Sequence, residues 1–434
     1  MYKKSIYNII IGNVEDSNLI YNSFSGGVSQ FDNYSYTIME NIDKYVEETA
    51  TKEDRELKNV MYDNGFIVDK DFDELSWLLV HNKSIRYDMH STRLRLTIAP
   101  TMSCNYKCYY CYESKAYKSK MMTEETIEQL ISYVEGQLND DLKLLNISWY
   151  GGEPMLAIDI IGKISKRIIK LCQDKNIEYR ADILTNGYLL DYKTAQLLYN
   201  EYKVYDVQIP MDGMLKTYAT RKGVSEEAFN KVIKNIKEIS DFMNVHVRMN
   251  IDNDNKEEIL ELTKLLLVDY GLKEKIRVYL AAVKNYTNVC DFTGEGCFSS
   301  DEFFAFKKEF TDFLYSLNAE KSITKTIPIP SWITCGLSRI RNLVIDPDGN
   351  FYRCAHLIGH DNSNIGNIKI GQVYNEANLN YIFAEIQDKC KECVLVPICM
   401  GGCVFERMLN GGDSVCRERI ERLQHDIMLA YDYL

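Results

Sequence analysis

Apolar and polar positions along this chain fall into a repeating pattern over its middle. From about residue 94 to 285, short apolar runs alternate with longer stretches of helical spacing. The runs Leu94–Ala99, Asn146–Trp149, Arg180–Leu184, Val204–Ile209, Val245–Met249 and Ile276–Leu280 read as strands. Stretches such as Glu124–Leu138 and Ile158–Lys175 carry apolar residues on one helical face and read as amphipathic helices. Strand and helix in strict alternation predict an α/β fold with a parallel sheet, either doubly wound or an incomplete barrel. In such folds the active site lies beyond the carboxyl ends of the strands. Residues that directly follow each strand are therefore the first candidates for chemistry.

The flanks have other patterns. At the start, Tyr7–Ile11 reads as a strand, and Leu19–Phe24 and Gly27–Phe31 as strands joined across Gly26 and Gly27. Helical stretches follow at about 34–47 and 52–64, then a strand Phe66–Val68 and a helix from Asp71 to Val80. This order predicts a small winged-helix-like unit. The end of the chain is irregular, with short hairpins and loops, and a helix from about Glu418 to Leu434 closes it. Three domains are expected: 1–90, 91–289 and 290–434.

Composition narrows the function. Apolar residues make up 46% of 434, enough for sizeable cores. The net charge is −12 with no long basic run, which argues against nucleic acid or an anionic membrane surface as the main partner. No apolar run reaches the ~18 residues that span a bilayer. A cytoplasmic location is expected. Thiols stay reduced there, and clustered cysteines more often mean metal or catalysis than disulfides. The 13 cysteines are clustered: three lie at 104–111 and seven at 335–416, leaving Cys172, Cys290 and Cys297 elsewhere. Cys172, on an amphipathic helical stretch, reads as a core residue.

The first group, Cys104-Asn105-Tyr106-Lys107-Cys108-Tyr109-Tyr110-Cys111, has the spacing C-x3-C-x2-C and follows the first predicted strand of the middle region. Three thiolates on one tight loop can hold three corners of a [4Fe–4S] cubane and leave the fourth iron open. Zinc binding or plain core packing are the other readings of these cysteines alone. Gly151-Gly152-Glu153-Pro154 follows the second strand, where glycines let backbone approach closely. Thr185-Asn186-Gly187 follows the third, Gln208 and Asp212-Gly213 close the fourth, and Arg248 and Asn250 end the fifth. Taken singly, the second and third of these segments also read as ordinary turns.

Together these segments resemble the radical S-adenosylmethionine (SAM) superfamily. The resemblance implies a partial (β/α)6 barrel, with Cys104, Cys108 and Cys111 holding a [4Fe–4S] cluster whose open iron chelates SAM. Reductive cleavage of SAM in that family frees a 5′-deoxyadenosyl radical that abstracts hydrogen from a substrate. Tyr110 would stand near the adenine, the Gly151-Gly152-Glu153 backbone near the SAM amino group, and Thr185-Asn186 near the ribose. Gln208, Arg248 and Asn250 complete the expected SAM site. An electron donor such as flavodoxin or ferredoxin is implied.

The second group also has ordered spacing. Cys335 is followed by thirteen residues, Gly349, four residues and Cys354; then come Cys390-x2-Cys393-x5-Cys399-x3-Cys403 and Cys416. Alone, these pairs are also compatible with a zinc ribbon. The full pattern resembles the SPASM domain, which carries two auxiliary [4Fe–4S] clusters. By that resemblance Cys390, Cys393, Cys399 and Cys416 hold one, and Cys335, Cys354 and Cys403 the other. Residues 328–334 supply no further thiol, so the second of these has either an open iron or a fourth ligand in Cys290 or Cys297.

SPASM-containing radical SAM enzymes mostly modify peptides. The N-terminal unit resembles the leader-binding element of maturases of ribosomally made peptides, which add the leader as a strand to a sheet edge. The expected partner is thus a precursor peptide with a leader. The expected product is a thioether cross-link, as in ranthipeptide- and sactipeptide-type enzymes. The alternatives are a streptide-like carbon–carbon link, anaerobic sulfatase maturation, or an iron–sulfur scaffold without chemistry. Asp291, Glu295, Asp301 and Glu302 are acids near the expected barrel-to-SPASM junction, but no catalytic residue is assigned.

Overall fold

In the computed structural model of the chain, residues 1–115, 120–284, 296–323, 328–360, 362–409, 416 and 419–432 are described. Contacts divide the chain into two compact units. One joins Met1–Tyr87, Thr324–Cys335 and Ala384–Leu434; the other joins Asp88–Ile323 and Gly336–Phe383.

The first unit contains an antiparallel pair, β1 (Tyr2–Lys4) and β5 (Ile67–Asp69), and a three-stranded antiparallel sheet in the order β2 (Asn8–Val14), β3 (Ser17–Asn22), β4 (Val28–Phe31). The β3–β4 turn is held by Asn22. Its Oδ1 accepts from Phe24 and Ser25 amides at 2.9 and 2.8 Å, and Gly26 takes φ 82°. The helix Lys52–Asp63 starts in a reciprocal capping box between Thr51 and Asp54. Ile9, Ile11, Leu19 and Tyr21 of the sheet bury against Leu423 and Ile427 of the closing helix Ile420–Asp432. The start and the end of the chain thus share one core.

The second unit is built on β6 (Arg93–Ile98), β7 (Leu144–Trp149), β8 (Glu178–Leu184), β9 (Val204–Pro210), β10 (Asn244–Ile251) and β11 (Ile276–Ala282). Neighbours in this series are parallel. Each predicted strand of the middle region appears within two residues of its expected ends. Along β6, Leu94, Leu96 and Ile98 are buried under the helices, while Arg93 and Arg95 on the other face are exposed. The helix Ile158–Asp174 buries Ile161, Ile164, Ile168 and Cys172 at helical spacing against the sheet.

The sheet is longer than the sequence suggested. A hairpin of β12 (Leu343–Ile345) and β13 (Phe351–Tyr352) continues it past β6, giving the order β11-β10-β9-β8-β7-β6-β12-β13. β12 pairs parallel with β6 and covers an otherwise open edge. Its turn needs Gly349, which has φ +79°; an added Cβ there would lie 2.4 Å from Ile368 Cδ1. That explains the glycine between Cys335 and Cys354. The region after 290 also holds a helix the sequence reading left unassigned, Ser300–Ser316, begun by a capping box between Ser299 and Glu302.

Candidate active site

The carboxyl ends of the parallel strands converge on a cavity of about 220 Å³. The loop after β6 brings Cys104, Cys108, Tyr110 and Cys111 into its wall. The end of β7 brings Gly151 and Gly152; β8 brings Thr185 and Asn186. Gln208 from β9, and Arg248 and Asn250 from β10, complete the expected set. Glu153 is the exception: it is 1% exposed and lies behind the wall.

Glu153 joins three of the strand-end segments. Its Oε1 accepts from Thr185 Oγ1 at 2.6 Å and from the Met155 amide at 2.9 Å; its Oε2 accepts from the Asn186 amide at 2.7 Å. Asn186 Nδ2 then donates to Asn105 Oδ1 in the cysteine loop at 2.7 Å. The two glycines before Glu153 are required by backbone crowding. At Gly151, with φ +120°, an added Cβ would lie 2.1 Å from the Thr101 carbonyl; at Gly152 it would lie 2.5 Å from those of Met102 and Ser103. Here the chain enters the cysteine loop, laced by Glu153 N to Ser103 O at 2.8 Å.

Burial pushes the Glu153 carboxyl up to about 7, against the opposing pull of its hydrogen-bond donors. A carboxyl raised on folding contributes stability that is full below its ordinary range and is lost as pH rises through about 7. The cluster-free protein should therefore be less stable at pH 8 than at pH 5.5 in urea unfolding. Glu153→Gln should shrink that difference. It should also cost about 1–3 kcal/mol, because an amide nitrogen replaces an acceptor facing donors. An unchanged pH difference in the variant would show that Glu153 is not its source.

The cysteine loop rests on the end of the helix Leu215–Lys222. Lys107 N donates to Lys222 O at 3.0 Å and Tyr109 N to Arg221 O at 3.3 Å. These carbonyls belong to the last turn, which a helix leaves unpaired. Gly223 caps the helix at φ +62°, and a Cβ there would press on the Lys107 carbonyl at 2.8 Å. Two buried ion pairs lie beneath. Arg221 binds Asp252 through both terminal guanidinium nitrogens at 2.9 and 2.8 Å, and Tyr109 donates to the same carboxylate at 2.5 Å. Lys222 Nζ lies 2.6 Å from Asp212 Oδ2, and Tyr110 donates its hydroxyl to Asp212 while accepting from Lys222. Asp212 also accepts from Asn250 N at 3.0 Å and Nδ2 at 3.1 Å. Burial alone would raise the Asp212 carboxyl; Lys222 and Arg221 hold it below its usual range.

Three aromatic residues in the wall, Tyr112, Tyr150 and His356, were not anticipated from sequence. Tyr112 and Tyr150 are hydrogen-bonded through their hydroxyls, and the Tyr112 ring centroid lies 4.1 Å from that of His356. Tyr112 and Tyr150 adjoin Cys111 and Gly151, an adjacency that was a usable signal. Arg221, Lys222 and Asp252 gave none, because only tertiary folding brings them under the loop.

The donor chemistry fits a thiolate-ligated cluster with an organic ligand beside it. Cys104, Cys108 and Cys111 are all free thiols on one cavity. Burial pushes Cys104 up to about 11 and Cys111 up to about 12, so iron must displace protons to bind them. Residues 98–266 match the model of the Radical SAM superfamily. The chain contains a radical SAM domain.

The radical SAM family uses SAM and a [4Fe–4S] cluster. The chain is 24% identical over 344 residues to the cysteine-type anaerobic sulfatase-maturating enzyme of Clostridium perfringens, covering 71% of this chain and 88% of that one. It is 22% identical to the radical SAM cyclopropyl synthase TigE of Paramaledivibacter caminithermalis, over 45% of each chain. Among solved structures it resembles anSMEcpe with bound AdoMet, with a TM-score of 0.58 at 21% identity over 79% of this chain and 93% of that one. It also resembles Streptococcus suis SuiB bound to precursor peptide SuiA, with a TM-score of 0.53 at 17% identity over 97% and 99%. These likenesses show the shared fold.

Outside the radical SAM domain, the second set of cysteines is divided. Cys335, Cys390, Cys393, Cys399, Cys403 and Cys416 belong to the first unit and Cys354 to the second; none of them is in a disulfide. Met400, Gly401 and Gly402 all take positive φ, turning the chain between Cys399 and Cys403. Cys354 stands two residues before His356, which lines the cavity. Cys172 is fully buried in the core. Cys297 is disulfide-bonded, while Cys290, Asp291 and Glu295 lie outside the described residues. Glu302 accepts from Ser299 N at 2.7 Å as a helix cap, and Asp301 lies in the same first turn. No helix among the described residues is long and apolar enough to cross a membrane.

Proposed function

We propose that this chain is a radical SAM maturase that abstracts a hydrogen atom from a ribosomally made precursor peptide and installs a thioether cross-link. The observation that carries the reading is the single cavity shared by Cys104, Cys108, Cys111 and the strand-end groups from Gly151 to Asn250. When bound there, the cluster and SAM supply a low-potential electron and a hydrogen-abstracting group. The protein's own part is placement. Gly151 and Gly152 keep backbone close to the loop, and Thr185, Asn186, Gln208, Arg248 and Asn250 offer polar contacts to SAM. Tyr110 is held by its hydroxyl between Asp212 and Lys222, with its ring toward the cavity.

In this reading Cys390, Cys393, Cys399 and Cys416 hold one auxiliary cluster, and Cys335, Cys354 and Cys403 another. The short step in sequence from Cys354 to the wall residue His356 supports an auxiliary cluster facing the substrate. The absence of a thiol in residues 328–334 supports an open iron there, able to take a substrate thiolate. A leader peptide would add to the free side of β4, which among the described residues pairs only with β3. SuiB, whose likeness covers nearly this whole chain, has been solved with its precursor peptide. Flavodoxin or ferredoxin would supply the electron, in the cytoplasm.

The test is anaerobic incubation of the reconstituted protein with SAM, reductant and a short cysteine-containing peptide encoded beside it. Loss of two hydrogens with one alkylatable thiol gone is expected. The same mass loss with all thiols still alkylatable would replace the thioether by a carbon–carbon link. Oxidation of a lone cysteine in a protein motif, with no cross-link, would favour sulfatase maturation, the activity named for the 24% identical relative.

A further inference from the structure

Lys222 is 1% exposed, lines the cavity, and is neither a cysteine nor a member of the expected SAM-contacting set. Its ammonium is 2.6 Å from Asp212 and bonds the hydroxyl of Tyr110, the residue directly before Cys111. Its backbone carbonyl holds the loop at Lys107. Asp212 does not need a cation for its hydrogen bonds, since Asn250 and Tyr110 already donate three. Burying two charges is expensive, and a pure anchor can be built from neutral groups. What a buried charge adds is a field that water screens weakly.

We propose that Lys222 is a positioning residue that raises the reduction potential of the cluster held by Cys104, Cys108 and Cys111, with Asp212 as the opposing charge that moderates it. This rests on the reading of those cysteines as the cluster site. Reduction adds one electron, from a ferredoxin- or flavodoxin-class donor, and no proton. A fixed positive charge in the cavity wall stabilises that added electron, while Asp212, behind Tyr110, destabilises it. Tyr110 receives both charges on its hydroxyl, so its ring orientation is tied to the same pair.

The experiment is an anaerobic redox titration of the reconstituted full chain, followed by electron paramagnetic resonance. The signal that changes on adding SAM identifies the first cluster. Wild type, Lys222→Met, Lys222→Arg and Asp212→Asn are compared. At the wild-type midpoint, the ratio of reduced to oxidised first cluster should fall on the order of tenfold in Lys222→Met. It should stay near wild type in Lys222→Arg and rise in Asp212→Asn. A merely structural role would shift the Met and Asn variants alike or leave both unchanged, and either result overturns the inference. If Lys222→Met does not fold, the direction of the Asp212→Asn shift decides alone. A wild-type chain that assembles no SAM-responsive cluster would instead sink the underlying reading.

Discussion

Replacing Cys104, Cys108 and Cys111 together by Ala should remove about four iron atoms per reconstituted chain. It should also lower SAM cleavage by at least about 10³-fold, since a nucleus that binds and reduces SAM is absent rather than weakened. The fold should survive. The loop is fixed by contacts that do not involve sulfur: Lys107 and Tyr109 amides on the helix end, and Asn105 on Asn186. Circular dichroism should match that of cluster-free wild type. Iron measured by chelator and 5′-deoxyadenosine by chromatography check the two losses. A triple variant that still cleaves SAM would place the reactive cluster on the second set of cysteines instead.

Arg221→Met should be the most damaging single change away from the thiols. Asp252 is fully buried, and its two oxygens take both arms of Arg221 as well as the Tyr109 hydroxyl. Removing the guanidinium leaves a buried carboxylate unmatched, at a cost of about 3–5 kcal/mol. Tyr109 is bonded to that carboxylate within the cysteine loop, so the loss should reach the site as poorer iron retention. Urea unfolding of the cluster-free protein measures the first effect, and iron content after desalting the second. The double variant Arg221→Met, Asp252→Leu removes both charges and should recover much of the stability. Equal stability of Arg221→Met and wild type would show that the pair does not hold the loop.

The parallel sheet was legible because each strand's apolar run is short and bounded by longer helical spacing. The cavity was legible because its residues follow their strands directly, as Gly151 follows β7 and Thr185 follows β8. What the chain's order concealed was set by tertiary contact. The β12–β13 hairpin is only three and two residues per strand, and it gains meaning from pairing with β6 far earlier in sequence. Arg221 and Lys222 look like a solvated basic helix end. Folding places both under the cysteine loop opposite Asp252 and Asp212. Glu153 was expected at the SAM site but acts behind it, because three donors, one from its own turn and two from the turn after β8, converge on its carboxylate.

Hydrogen abstraction from a peptide can be followed by isotope transfer. The precursor peptide would be made with deuterium on its non-exchangeable carbons and incubated anaerobically with the reconstituted protein, SAM and reductant. The expected result is 5′-deoxyadenosine carrying one deuterium, in step with a peptide lighter by its lost atoms. SAM cleavage that yields only unlabelled 5′-deoxyadenosine, with the peptide unchanged, would contradict it.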